Sequence, residues 1–209
     1  MTINTLAKIL IKFGISANFL TAAGLVAAGL SGIFAYQGHF FLAGAVLLFS
    51  GALDMLDGAV AREAGTAKAF GGILDSTLDR YGDGFVLGGI LFYCLGHLRI
   101  LYAILSFSAL LGSFAISYIR ARAECEIETC RVGFWERGER LVLIALALLL
   151  HNLAPALWIL GVGAHWTAFQ RLYFAHSPKK DIPVARAYPF YHIKIGILIG
   201  ILLFLKIPL

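Results

Sequence analysis

The sequence predicts an all-α integral membrane protein: a six-helix bundle with an N-terminal interfacial helix and an additional apolar segment at the C-terminus. Composition is the first reason. Of 209 residues, 60% are hydrophobic and 14% charged, and the mean hydropathy is +0.84, whereas soluble domains are about half apolar and about a quarter charged. The second is that the apolar residues gather into stretches close to the roughly 20 residues a helix needs to cross a bilayer. The third is a charge asymmetry between the two sets of connecting loops. No large extramembrane domain fits in what remains. Cys94, Cys125 and Cys130 lack the second pair or nearby histidines of a zinc site.

Residues 1–14 form the first unit. Leu6, Ile9, Leu10 and Phe13 share one helical face, with Lys8 and Lys12 opposite, as suits a helix lying in the membrane interface. The segment is too short and too weakly apolar for a cleaved signal peptide. A transmembrane bundle over 15–176 follows, with apolar stretches at about 18–36, 39–60, 72–96, 99–121, 138–152 and 154–175. The short connection between the second and third stretches predicts that they are antiparallel neighbours. Residues 177–209 make a polar, proline-containing loop and a further apolar stretch at 191–208, flanked by Lys194 and Lys206, which either spans or lies against the bundle. His176 and His192 read as interfacial polar residues, since no carboxylate motif accompanies them.

If the amphipathic helix lies on the cytoplasmic side, chain alternation brings the loops near 62–70, 122–137 and 176–190 to that side too. Every Lys and Arg except Arg99 and Lys206 then falls at that face, as the positive-inside rule expects. This explains the formal net charge of +5 without a nucleic-acid partner.

Acidic residues within these apolar stretches carry the chemistry. An ionised Asp at the middle of a spanning helix costs about 2.5–3.5 kcal/mol, yet Asp54, Asp57, Asp75 and Asp79 stand in or beside two such helices. The first two are three apart and the last two are four apart, so each pair shares one helical face. Four facing carboxylates require cations, and those two helices hold no matching cluster of Lys or Arg. Oxygen donors select hard ions, Mg²⁺ with Mn²⁺ as the alternative, and a pair of such ions suits displacement at phosphorus. The competing readings are solvated helix ends paired with Arg62 and Arg80, and a divalent-cation transporter whose carboxylates bind its cargo. Against the transporter stand Gly58, Ala61, Gly65, Gly71 and Gly72, which allow either close helix packing or close approach of a ligand. Arg62, Thr66 and Lys68 add donors suited to phosphate oxygens.

In order, Asp54-x-x-Asp57-Gly58-x-x-Ala61-Arg62, eight residues, Gly71, three residues, Asp75, three residues and Asp79 resemble the full signature of the CDP-alcohol phosphatidyltransferases, and the span pattern resembles that family to about residue 175. The resemblance implies transfer of a lipid-phosphate group from a CDP-lipid to an acceptor hydroxyl, with CMP released, by a homodimer. It implies Asp54, Asp57, Asp75 and Asp79 as metal ligands, with Asp79 also the general base, and Gly58 and Arg62 as nucleotide and phosphate contacts. Thr66 and Lys68 join them in the connecting loop. Upstream, Asn18 and Thr21 are similar to a family segment that opens the first span against the nucleotide, although Ala17 stands in the proline position. Asn18 is then a donor to the nucleotide or, equally, the cap of the first helix.

The acceptor is read from later residues. Ser117 to Glu124, Gly133 to Arg140, and Gln170-Arg171 return to the acidic face, so Arg120, Arg140 and Arg171 could converge on one anionic group. Alternatively, Arg137 and Arg140 pair with Glu136 and Glu139 along their own helix, or the arginines serve only topology. These segments look similar to those of the phosphatidylinositol-phosphate synthases and their archaeal ether-lipid counterparts. That similarity implies inositol 1-phosphate as acceptor, with glycerol 3-phosphate as the alternative.

Overall fold

The computed structural model describes residues 3–66 and 68–176. The expected 177–190 loop, the 191–208 apolar segment and His192 lie outside the described residues. Among those described there are helices and no strand: α1 (Ile3–Lys12), α2 (Ala17–Tyr36), α3 (Phe40–Glu63), α4 (Ala69–Gly96), α5 (Ile100–Ala123), α6 (Arg137–Leu149) and α7 (Leu153–His176). The chain is an integral membrane protein. Helices α2, α3 and α5 are each long and apolar enough to cross a membrane, and side chains such as Phe49, Phe92, Ile104, Phe107 and Trp166 stay exposed on the outside of the bundle. In water so much exposed aromatic surface would drive association; in lipid it is solvated.

Helix α1 buries Ala7 and rests on the ends of α2 and α3 with Leu10, Ile11, Leu20, Ala59 and Val60, tied by Lys8 Nζ to Glu63 Oε1 at 3.3 Å. At its outset α2 is capped by Ser16, whose Oγ accepts the Phe19 N–H at 3.3 Å. Its buried residues Gly24, Ala27, Ala28, Ser31 and Ala35 follow helical spacing and form the stripe of small side chains on which its neighbours close. A Cβ on Gly32 would collide with the Phe85 carbonyl oxygen, and one on Gly89 with the Gly32 carbonyl oxygen, so α2 and α4 cross backbone to backbone. Ser50 Oγ donates to the Gly24 carbonyl oxygen at 2.8 Å, and Ser31 Oγ to that of Ala43 at 2.8 Å, fastening α3 to the other side of α2.

The expected α3–α4 pair is therefore corrected. Helix α2 packs against both, while α3 and α4 hardly touch along their lengths. Like-charged carboxylates on facing turns repel at short range, and the stripe of small residues on α2 offers each helix a closer partner.

The main core lies among α3, α4, α5, α6 and α7, with Leu87, Ile90, Leu143, Leu148, Leu157 and Leu160 all but inaccessible. Helix α6 is the shortest of these helices apart from α1, ending three residues before the expected 138–152 stretch does. Its 13 residues rise about 20 Å against a hydrocarbon core of about 30 Å. It is approached through irregular backbone at 124–136, much of it exposed and anchored to the bundle at a few buried points. Cys130 and Trp135 are buried, the Trp135 N–H donates to Thr167 Oγ1 at 3.2 Å, and Gly133, at φ +107°, lies so close to Thr167 that no side chain would fit.

Candidate active site

The last turns of α3 and the first turns of α4 present their acids to one another beside the start of α2. Asp54, Asp57 and Asp75 each bring a carboxylate oxygen to within 4.8 Å of the others. Asp57 is 5% exposed, and its Oδ2 accepts a 2.7 Å hydrogen bond from Thr21 Oγ1. Asp75 Oδ1 is buried without a hydrogen-bond partner, a costly state for a carboxylate oxygen unless something positive completes it. Asp54 is within reach of both Asp75 and Asp79, which joins the fourth acid to the group.

Such a donor set fits a hard divalent ion. It is all oxygen, it is anionic, and its 4.8 Å spread is close to the roughly 4.2 Å separating opposite ligands of a Mg²⁺ ion with bonds near 2.1 Å. Three of the four residues that the sequence singled out meet in this set, and Asp79 adjoins it beside Asp54.

One partner was not anticipated. Arg137, the first residue of α6, places Nη1 2.8 Å from Asp54 Oδ2 and 2.8 Å from Asp79 Oδ1. The sequence expectation concerned a matching cluster of cations only on the two helices that carry the acids, and this cation comes from a third. Glu136 and Glu139 form a capping box at the start of α6, and Arg137 and Arg140 reach across to α3 and α4. Of the suggested simple ion pairs, Arg80 Nη1 stands 3.6 Å from Asp79 Oδ2.

Beside the acids opens a cavity of about 640 Å³ lined by Asn18, Thr21, Asp57, Gly58, Arg62, Thr66, Lys68 and Asp75, with Ile11 and Ile15 closing one side. All five residues expected to contact a CDP-lipid face it. A Cβ on Gly58 would lie 3.2 Å from Arg62 Nη1, so the guanidinium rests against that glycine. Gly71 and Gly72 also line the cavity, and a Cβ on either would touch nothing. Their smallness leaves space open for a ligand and serves no helix contact. Because Ser16 caps α2, the capping alternative for Asn18 falls away, and its side chain is exposed in the first turn.

The three arginines expected at an acceptor phosphate stand in different states. Arg120 Nε is 3.0 Å from Glu124 Oε1, one helical turn on, with its side chain 34% exposed. Arg140 is buried, donating from Nη2 to Asp83 Oδ2 at 3.1 Å and from Nη1 to the Trp135 carbonyl oxygen at 3.1 Å. Arg171, also buried, donates to the carbonyl oxygens of Val132 and Ile116, each at 2.8 Å, and so clamps the 124–136 segment to α5. Arg120 and Arg140 both lie within electrostatic reach of Arg171, so the three do share a neighbourhood. Asp83, which sequence reasoning passed over, continues the i, i+4 series from Asp75 and Asp79.

Residues 14–205 match the family model described as CDP-alcohol phosphatidyltransferase. The archaetidylinositol phosphate synthase of Pyrococcus horikoshii is 37% identical over 171 residues, covering 81% of this chain and 88% of its own. The phosphatidylinositol phosphate synthase of Mycobacterium marinum is 34% identical over 181 residues, 81% of this chain and 77% of its own. Among solved structures, the Mycobacterium tuberculosis phosphatidylinositol phosphate synthase with CDP-DAG bound superposes with a TM-score of 0.78 at 32% identity, covering 87% of this chain and 98% of that one. The same enzyme in complex with manganese and citrate gives 0.78 at 32% identity, covering 88% and 94%.

Proposed function

Since the chain belongs to the CDP-alcohol phosphatidyltransferase family, we propose that it transfers a phosphatidyl or ether-lipid phosphate group from a CDP-lipid to inositol 1-phosphate, releasing CMP. The observation that carries this is the junction of the acid cluster with the 640 Å³ cavity lined by Asn18, Gly58, Arg62, Thr66 and Lys68. A diphosphate lodged against Gly58 and Arg62 reaches the carboxylates without leaving the cavity.

Asp54, Asp57, Asp75 and Asp79 would hold the metal, and when bound there two Mg²⁺ or Mn²⁺ ions supply charge neutralisation for the diphosphate and its leaving nucleotide. Asn18 donates to the nucleotide, Arg62 holds a phosphate oxygen, and Thr66 and Lys68 close the headgroup from the loop. The acceptor hydroxyl oxygen bonds to the β-phosphorus as the bond to the bridging oxygen breaks. Its proton passes to Asp79 and CMP departs with the bridging oxygen.

Arg120, Arg140 and Arg171 are assigned to the acceptor phosphate in graded roles. Arg120 is held by a partly exposed ion pair of the kind worth about 0–1 kcal/mol, so a phosphate readily replaces Glu124. Buried Arg140 and Arg171 contribute positive field from fixed positions. The crowding of basic residues on one side supports a site at the cytoplasmic face of the cell membrane, by the positive-inside rule. A homodimer is the expected assembly, checked by mass measurement in detergent.

The test is CMP release by purified protein given CDP-lipid and Mg²⁺ with inositol 1-phosphate, inositol, glycerol 3-phosphate or serine in separate reactions. Inositol 1-phosphate should be used best; preference for glycerol 3-phosphate, or equal use of free inositol, overturns the acceptor assignment. Asp79→Asn should abolish CMP release while CDP-lipid binding stays measurable. Cation flux into sealed vesicles without need of CDP-lipid would restore the transporter reading.

A further inference from the structure

We propose that Arg137 is the resident cation of the acid cluster and that divalent metal binds by displacing it, which links metal loading to the first turn of α6. This deepens the metal reading above and rests on it. Arg137 Nη1 lies 2.8 Å from carboxylate oxygens of Asp54 on α3 and Asp79 on α4, two helices with little other contact. Guanidinium groups ordinarily engage a carboxylate as a two-pronged fork. Here two carboxylates from different helices converge on one nitrogen, the arrangement expected around a point cation, while Arg137 Nε is buried without a partner.

The adjoining space supports this independently. Asp54, Asp57, Asp79, Thr21, Ser50 and Arg137 border a cavity of about 20 Å³, room for one water-sized occupant. Four ionised Asp side chains carry the charge of two divalent ions. A guanidinium retained among them once those ions are bound would face like charges in a poorly solvated site. Asp83, one turn beyond Asp79, is within electrostatic reach of Arg137 and, while holding Arg140 through Oδ2, attracts the displaced group.

The experiment is a Mn²⁺ titration followed by electron paramagnetic resonance, without CDP-lipid, on the wild type, Arg137→Gln and Arg137→Lys, with melting temperature measured in metal-free buffer and with Mn²⁺. Arg137→Gln should bind Mn²⁺ about tenfold more tightly or better, the scale of about 1.4 kcal/mol of relieved competition. It should melt lower than wild type without metal and recover with Mn²⁺. Arg137→Lys, keeping the charge, should stay near wild type. A residue that merely braced α6 would lower the melting temperature without strengthening Mn²⁺ binding, so unchanged or weaker binding by Arg137→Gln overturns the proposal. If the wild type binds no Mn²⁺, the metal reading itself falls. Should Arg137→Gln survive purification only with Mn²⁺, the rate of Mn²⁺ release to a chelator decides: slower than wild type supports displacement, and equal or faster overturns it.

Discussion

Thr21→Val removes one hydroxyl and keeps the shape of the side chain, so it isolates a single hydrogen bond at the edge of the metal site. Thr21 Oγ1 lies 3.0 Å from the Ala17 carbonyl oxygen and 2.7 Å from Asp57 Oδ2. It has one proton to give, and the ionised carboxylate is the stronger acceptor. Hydrogen bonds to charged groups contribute about 1.5–3 kcal/mol, and groups that orient a metal ligand typically govern about 10- to 100-fold in affinity or activity. The two scales agree, since about 1.4 kcal/mol is tenfold. With Asp57 almost wholly buried, water cannot easily replace the lost donor. Thr21→Val should therefore raise the Mn²⁺ concentration for half-maximal CMP release by roughly 10- to 100-fold, while Thr21→Ser restores it. Unchanged Mn²⁺ dependence in Thr21→Val would refute the reasoning, because Asp57 would then be held by something other than this bond.

Removal of divalent ions by a chelator should stop CMP release, and Mg²⁺ or Mn²⁺ should restore it in the wild type but not in Asp57→Asn. Gly112→Ala would put a Cβ 2.6 Å from Ala164 Cβ, where α5 and α7 meet; overpacking of this kind costs about 1–3 kcal/mol, visible as a lower melting temperature in detergent. Arg140→Ala leaves Asp83 without its 3.1 Å partner; the pair is part-buried, so the loss falls below the roughly 3–5 kcal/mol of breaking a fully buried one. Adding Asp83→Leu should recover part of that loss, whereas no recovery would mean that Arg140 acts through its bond to Trp135. Burial raises the pKa of Glu124, but bonds from Arg120 and the Cys130 N–H outweigh it and hold the carboxyl below its ordinary value of 4.5. A carboxyl depressed on folding contributes stability above its unfolded pKa and loses it as pH falls through the lower folded value. Melting curves of Glu124→Gln should accordingly show a shallower decline below pH 4.5 than the wild type.

Much of this protein was legible locally. Helices α2, α3, α4, α5 and α7 begin and end within a few residues of the expected stretches, because apolar runs and the polar breaks between them are properties of the chain itself. The acids were legible for the same reason: spacings of three and four put Asp54 with Asp57, and Asp75 with Asp79, on shared faces whatever surrounds them. Asn18, Gly58, Arg62, Thr66 and Lys68 were found through the motif that they flank, and all line the cavity. Helix α6 also starts within one residue of its expected stretch and ends three residues early, at Leu149; what the chain alone did not show is that buried Trp135 pins the irregular segment ahead of α6 to α7.

The sequence by itself determined the helices, their apolar character and which carboxylates share a turn, since these depend on neighbours three and four residues away. Tertiary structure decided which cation meets which acid. Arg137 and Arg140 are near Glu136 and Glu139 along the chain, yet they pair with Asp54, Asp79 and Asp83 on other helices. That choice depends on where α6 enters the bundle, and hence on the small residues of α2 that draw α3 and α4 to its two sides and leave the acids facing one another across the gap.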